Sequence, residues 1–308
     1  MRHLGDTFIK ALLEGELKFF LDEVKNHRDI LSLEVRDEYV NIYYKGGSLL
    51  KIVYKKRGNK GRHFHFKFDA NYCKNKDNDV NFKDLDGLDP YDLEAYKKHF
   101  NSMKAEMESW FRDNHNPERD YQQKLLMNNP EIVDIEYQIG RGKRFDMLYF
   151  KDGKLYIVEN KYGNGAIGGK SGLADHYKKI CEALENENEN ENVKDEIIES
   201  VCHISEAKKA LGLTDKVIKK DDIKEIESLF LMAEYIHKGD RDRDRLSDEL
   251  GKIDKIIEEK GYTVPASFLF TTENDVKMDL SKCESFSALK QRLDKSTNKG
   301  LGNDVKNT

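Results

Sequence analysis

The sequence predicts a mixed α/β protein: a mixed sheet flanked by helices, preceded by a smaller part made of a helix and an antiparallel sheet. Three observations carry that prediction. Around Asp152-Gly153, two runs rich in β-branched and aromatic residues flank a pair that favours a two-residue type I′ turn. Helical and strand-like patterns then follow in the order helix, three strands, helix, strand, which describes a mixed α/β layer. Before residue 90 the pattern is different, with one amphipathic stretch followed by short alternating runs. The expected division is 1–90 for the N-terminal domain, 91–292 for the larger domain and 293–308 for a disordered tail.

Residues 7–25 read as one amphipathic helix. Runs at 30–35, 39–44, 49–54 and 63–68 alternate, with Asp37-Glu38 and Gly46-Gly47 at turn positions, so an antiparallel meander is expected. Between 51 and 67 the chain carries Lys51, Lys55, Lys56, Arg57, Lys60, Arg62 and Lys67 with no acidic residue, interleaved with Tyr54, Phe64 and Phe66. Such a patch, with Lys55, Lys56 and Arg57 consecutive, suits phosphate contacts. It equally suits an edge charged to resist aggregation. His63 and His65 alternate on one strand, but no third ligand is near, so zinc is not expected. An acidic connector, 74–90, leads to a long helix at 91–113.

Asn116-Pro117-Glu118 is a helix start, with Asn as cap and Pro in the first turn, and the helix runs to Asn128-Asn129-Pro130. Glu118 and Gln122 lie one turn apart on one face. A strand at 132–139 leads through Arg141-Gly142-Lys143-Arg144 into the hairpin. After Lys161 comes a loop rich in glycine, ending near Gly172, where backbone can approach a phosphate closely; Lys170 lies in it. Gly168-Gly169-Lys170-Ser171 imitates the end of a phosphate-binding Walker loop, but the first glycine is not at the required spacing. Ser171 is the expected cap of a helix at 173–184 that carries His176 and Tyr177. A solvated Glu/Asn insert at 186–192, helices at 193–211 and 243–260, and buried strands at 228–235 and 266–271 complete the chain.

Composition narrows the class. A chain of 308 residues suits one large or two modest domains, and 38% apolar residues can build a core. No apolar run of membrane-spanning length occurs and no signal stretch opens the chain, so no membrane association is expected. Cys73, Cys181, Cys202 and Cys283 are scattered, without a Cys-x-x-Cys, which makes a reducing cytoplasm the expected location. The net charge of -5 argues against coating nucleic acid by bulk charge, not against gripping it locally.

The hairpin concentrates the chemistry. With Asp152-Gly153 at the tip, Lys151 faces Lys154, Leu148 faces Ile157 and Asp146 faces Glu159. Side chains directly opposite lie about 4.5–5.5 Å apart at Cβ, so two carboxylates stand side by side, with Lys161 on the same face. Both faces of the hairpin are otherwise apolar, which makes it central and the carboxylates costly without a partner. A hard divalent cation, Mg²⁺ with Mn²⁺ as substitute, satisfies two such anions, and a neighbouring ammonium adds the means to hydrolyse a phosphodiester.

Asp146, a strand-turn-strand, then Glu159-Asn160-Lys161 resembles the PD-(D/E)XK nuclease superfamily, with Phe145 where the name has proline. The resemblance spans residues 116–184. It implies a restriction-endonuclease-like core, Asp146 and Glu159 as metal ligands with the Asn160 carbonyl as a further one, and Lys161 acting on the attacking water. It implies that Glu118, on the first core helix, joins the metal site, the alternative being a first-turn acid that only complements the helix dipole, and that His176 and Tyr177 lie near the scissile phosphate, with a surface histidine as the alternative for His176; Lys170 and Gln122 are further candidate substrate contacts. The expected activity is an endonuclease cutting nucleic acid, DNA before RNA, with the N-terminal domain selecting substrate or binding a protein partner or second copy. The alternatives are a catalytically silent nucleic-acid-binding or sensor protein on that fold, an RNA-cleaving nuclease, or a non-catalytic interaction protein.

Overall fold

The computed structural model describes residues 2–73, 85, 87–139, 143–185, 193–235 and 240–301. Arg141, most of the 74–90 connector, the 186–192 insert and the last seven residues of the expected tail lie outside the described residues. The fold is mixed α/β with two sheets, one of four strands and one of six. It divides into two compact units. One comprises Met1–Pro130 with Ile197–Lys220, the other Glu131–Glu196 with Asp221–Thr308. The boundary thus falls after residue 130, where the sequence suggested 90, and a later segment returns to the first unit.

The first unit opens with two helices, α1 (Asp6–Leu13) and α2 (Lys18–Asn26), where one was expected. Gly15 makes the break: a Cβ there would stand 2.8 Å from the Ala11 Cα. Four strands follow as a simple antiparallel meander, β1 (Leu31–Val35), β2 (Tyr39–Tyr44), β3 (Gly47–Asn59) and β4 (Arg62–Phe68). Alternation gives this sheet one apolar face. Phe8 and Phe20 from α1 and α2 meet Phe64 and Phe66 on it, with ring centroids 5.2 and 5.8 Å apart. Helix α3 (Leu93–Asp113), capped by Asp92, adds Tyr96 and Phe100. Burial of each large side chain contributes about 1.5–3 kcal/mol. Helix α4 (Pro117–Asn128) starts as the sequence indicates, the Asn116 side chain accepting from the Arg119 N–H at 3.1 Å.

The second unit is built on the order β10-β9-β8-β7-β6-β5. Strands β5 (Ile132–Ile139), β6 (Lys143–Lys151) and β7 (Lys154–Tyr162) are antiparallel; β8 (Glu225–Ala233) and β9 (Ala266–Thr271) run parallel to β7. The two-residue β10 (Glu284–Ser285) closes the edge. The turn at Asp152-Gly153 has φ of 51° and 82°, the signs a type I′ turn requires. Lys151 pairs with Lys154 and Leu148 with Ile157, as the sequence indicates. Both faces of the hairpin are buried: Met147, Leu148, Tyr149, Leu155, Ile157 and Val158 are almost without exposure. Helix α5 (Leu173–Glu185) follows the glycine loop, and α6 (Val193–Ala210) leads back to the first unit. Helix α7 (Asp240–Lys260) joins β8 to β9, and α8 (Phe286–Leu301) buries Leu289 and Leu293. Residues 293–301, expected as disordered tail, therefore continue a helix. No disulfide joins the four cysteines. Among the described residues no helix is long and apolar enough to cross a membrane.

Candidate active site

The ladder between β6 and β7 ends at Met147 and Val158, one step short of Asp146 and Glu159. Beyond that point backbone pairing is replaced by a side-chain contact: the Asn160 N–H donates to Asp146 Oδ2 at 2.8 Å. The bond fixes the Asp146 carboxylate against β7. Glu159 is fully buried, Asn160 and Lys161 nearly so, and Asp146 is half-buried. Lys161 Nζ stands 3.8 Å from Glu159 Oε2. From α5, His176 Nδ1 approaches the same oxygen at 2.5 Å. Even so, among the described residues no N–H donor meets either Glu159 oxygen in hydrogen-bonding geometry, and the Asp146 carboxyl is a close polar neighbour.

The electrostatics follow from that burial. Desolvation pushes the Glu159 carboxyl up to about 7, opposed first by the Lys161 ammonium. Asp146 rises to about 6, by burial and then by the facing Glu159 charge, with the Asn160 N–H pulling the other way. His176 moves down to about 4, because burial and the Lys161 and Lys179 charges disfavour its cation. At neutral pH the imidazole is therefore neutral, and Glu159, near its midpoint, holds a proton more tightly than Asp146 does. Opposed titratable groups of this kind are characteristic of chemical sites.

Of the residues singled out in the sequence, Asp146, Glu159, Asn160, Lys161 and His176 come together. Tyr177 does not serve as expected: it is buried, and its hydroxyl donates to the Val264 carbonyl at 2.9 Å, which makes it a packing residue. Lys170 is exposed in the glycine loop. Glu118 is exposed and Gln122 half-buried on α4, which belongs to the first unit, as do the exposed Lys55, Lys56 and Arg57. The cluster around Glu159 is built within the second unit. Among the described residues no group of three or more His, Cys, Asp or Glu side chains is arranged to hold a metal ion. Any cation here would rest on the two carboxylates and backbone or solvent oxygen.

Two further residues shape the site and were missed in the sequence. Glu249 of α7, itself buried, accepts the Ala174 N–H at 3.1 Å and so caps α5, the role expected of the exposed Ser171. Arg245, one turn earlier, donates to the Asn164 carbonyl at 3.0 Å. Together they brace the glycine loop and the helix that carries His176. The signal was their i, i+4 spacing in a charged helix, which cannot be told from a solvated face by sequence. Comparison of the chain with protein-family models, with curated proteins and with solved structures finds no match in any of the three.

Proposed function

We propose that this chain is a divalent-metal-dependent nuclease that hydrolyses phosphodiester bonds, in DNA before RNA, on a restriction-endonuclease-like core. One observation carries the reading: Asp146 and Glu159 meet at the end of a buried hairpin, with Lys161 3.8 Å from the second carboxylate. The antiparallel β5–β7 followed by parallel β8 supports the fold assignment. The donor set fits Mg²⁺ or Mn²⁺. Two buried, neighbouring carboxyl groups offer hard oxygens, and such a cation needs only one or two carboxylates beside water and substrate oxygen. Asp146 and Glu159 would hold it, with the Asn160 carbonyl beside them. When bound, the cation supplies Lewis-acid polarisation of a phosphoryl oxygen.

The chain's own residues do the rest. The Asn160 N–H keeps Asp146 in one orientation. The Lys161 ammonium orients the attacking water and stabilises charge that develops on the phosphoryl oxygens, an effect worth roughly a hundredfold or more in rate in a water-poor site. His176 restrains Glu159 from the side of α5. Complete burial of Glu159 favours a second reading, a nuclease fold that binds nucleic acid without cutting it.

One experiment separates them. Purified protein is incubated with linear, circular and single-stranded DNA and with RNA, under Mg²⁺, Mn²⁺ or EDTA. Cleavage of DNA that EDTA abolishes is expected. Cleavage of RNA alone would reassign the substrate, and binding without cleavage under either metal would sink the enzymatic reading.

A further inference from the structure

On the second face of the first sheet, opposite α1 and α2, lysines stand in a row with no ion-pair partner among the described residues. Register places Glu34, Asn41, Lys51 and Lys67 side by side across β1 to β4. The carboxylate in that row is taken by Lys208 of α6, 2.7 Å away, so Lys51 is left directly opposite another lysine. Like charges directly opposite are destabilising in a sheet. Edge protection explains a lysine on β4, but not one on the interior strand β3.

The neighbourhood increases the imbalance. Burial and then the charges of Lys67, Lys55 and Arg36 hold the Lys51 ammonium below its ordinary value. His65, in the next row beside Val53, is also shifted down, by burial and by the Lys55, Lys67 and Lys51 charges. Lys51 Nζ stands 3.7 Å above the Tyr39 ring. The β1 side of this face is buried, whereas Lys55 and Lys67 are exposed and Lys51, Tyr39 and His65 half-exposed.

We propose that Lys51, Lys55 and Lys67, with the rings of Tyr39 and His65, form a second nucleic-acid site that grips the phosphate backbone of a single strand. From Lys51 to Lys55 the strand rises about 13 Å, so the ammonium groups are spread along a line, as the successive phosphates of a strand are. Tyr39, with Lys51 over its ring, and His65, in edge contact with Tyr91 at 5.2 Å, add half-exposed aromatic surface on which an unstacked base can pack and which an acidic peptide or a lipid headgroup would leave unused. The site lies in the first unit and needs no cleavage chemistry, so it stands or falls apart from the nuclease reading.

The test is anisotropy of a labelled single-stranded oligonucleotide, with the full chain, in EDTA, across a salt series. Lys51→Gln with Lys67→Gln should weaken binding and flatten the plot of log affinity against log salt by roughly one unit per lysine. Lys51→Arg with Lys67→Arg should retain the slope. Tyr39→Ala should weaken oligonucleotide binding but not binding of inorganic polyphosphate. Because the Gln pair removes a repulsion, its melting temperature should not fall, which separates lost binding from lost folding. Unchanged affinity and slope in the Gln pair would overturn the site. Equal competition by polyglutamate or by phosphatidylserine vesicles would overturn its assignment to nucleic acid.

Discussion

At the residue scale, Lys161 and Glu159 make opposite demands. Lys161 acts on charge that develops only during reaction, so Lys161→Ala should lower cleavage by about a hundredfold or more while leaving the fold intact. Metal binding by calorimetry should survive, since an ammonium is not a ligand; full activity would place water activation elsewhere. Glu159 carries the larger stability consequence. Its carboxyl titrates at about 7 in the fold against an ordinary 4.5, so between those values the native state binds more protons than the unfolded chain. Stability of the metal-free protein is therefore lost as pH rises from about 4.5 to 7, and the loss persists above. His176, held down to about 4, works in the other direction and withdraws stability as pH falls below its ordinary 6.5. Glu159→Gln should thus raise metal-free stability at pH 8, by on the order of 2 kcal/mol, and raise it far less at pH 5. Melting temperature across pH measures this, and an equal gain at both pH values would contradict the buried-charge account. These residues were legible because a two-residue turn fixes register, and register fixes who faces whom. Tyr177 was misread for a related reason: sequence spacing put it beside His176 but did not say that its hydroxyl would meet Val264.

At the element scale, the hairpin β6–β7 was legible almost to the residue, whereas the devices that hold the neighbouring loop were not. Period-2 patterning and Asp-Gly are local signals. The Glu249 cap on α5 joins residues 75 positions apart, and no window of sequence contains both. The same limit explains the broken N-terminal helix, since Gly15 is tolerable in a helix by pattern and decisive only through its approach to Ala11. The brace has a consequence for α5. Removing the acceptor in Glu249→Ala should cost about 1 kcal/mol, the usual worth of a cap. Amide exchange should quicken at the α5 N-terminus and through 163–172. If α7 positions His176 through that loop, turnover should fall while oligonucleotide affinity in EDTA stays constant. Exchange confined to α7 itself would show that the loop is held by other contacts.

At the scale of the whole molecule, the sequence indicated two parts but placed their boundary by composition, at the acidic connector. Compactness places it after Pro130, because α3 packs Tyr96 against Phe66 of the first sheet and Phe100 against Phe20 of α2, and because Ile197–Lys220 returns to that unit. Chain continuity hides such a return. The division sets up a test of the metal reading that needs no substrate. The single tryptophan, Trp110, lies on α3 in the first unit, whereas Asp146 and Glu159 lie in the second. A ligand that binds only the native state stabilises it by about 2.7 kcal/mol at a hundredfold excess over its dissociation constant. Mg²⁺ or Mn²⁺ should therefore raise the melting temperature followed by backbone circular dichroism, and the gain should grow from pH 5 to pH 8 as protons leave the two carboxyls. Trp110 fluorescence, read in the same melt, reports whether the first unit follows: a matching shift means that the units unfold together, an unmoved one that they unfold separately. Asp146→Asn should abolish the shift in both signals. If neither metal moves either signal at any pH in the intact chain, the carboxylate pair is not a cation site, and the hydrolytic chemistry proposed for it falls.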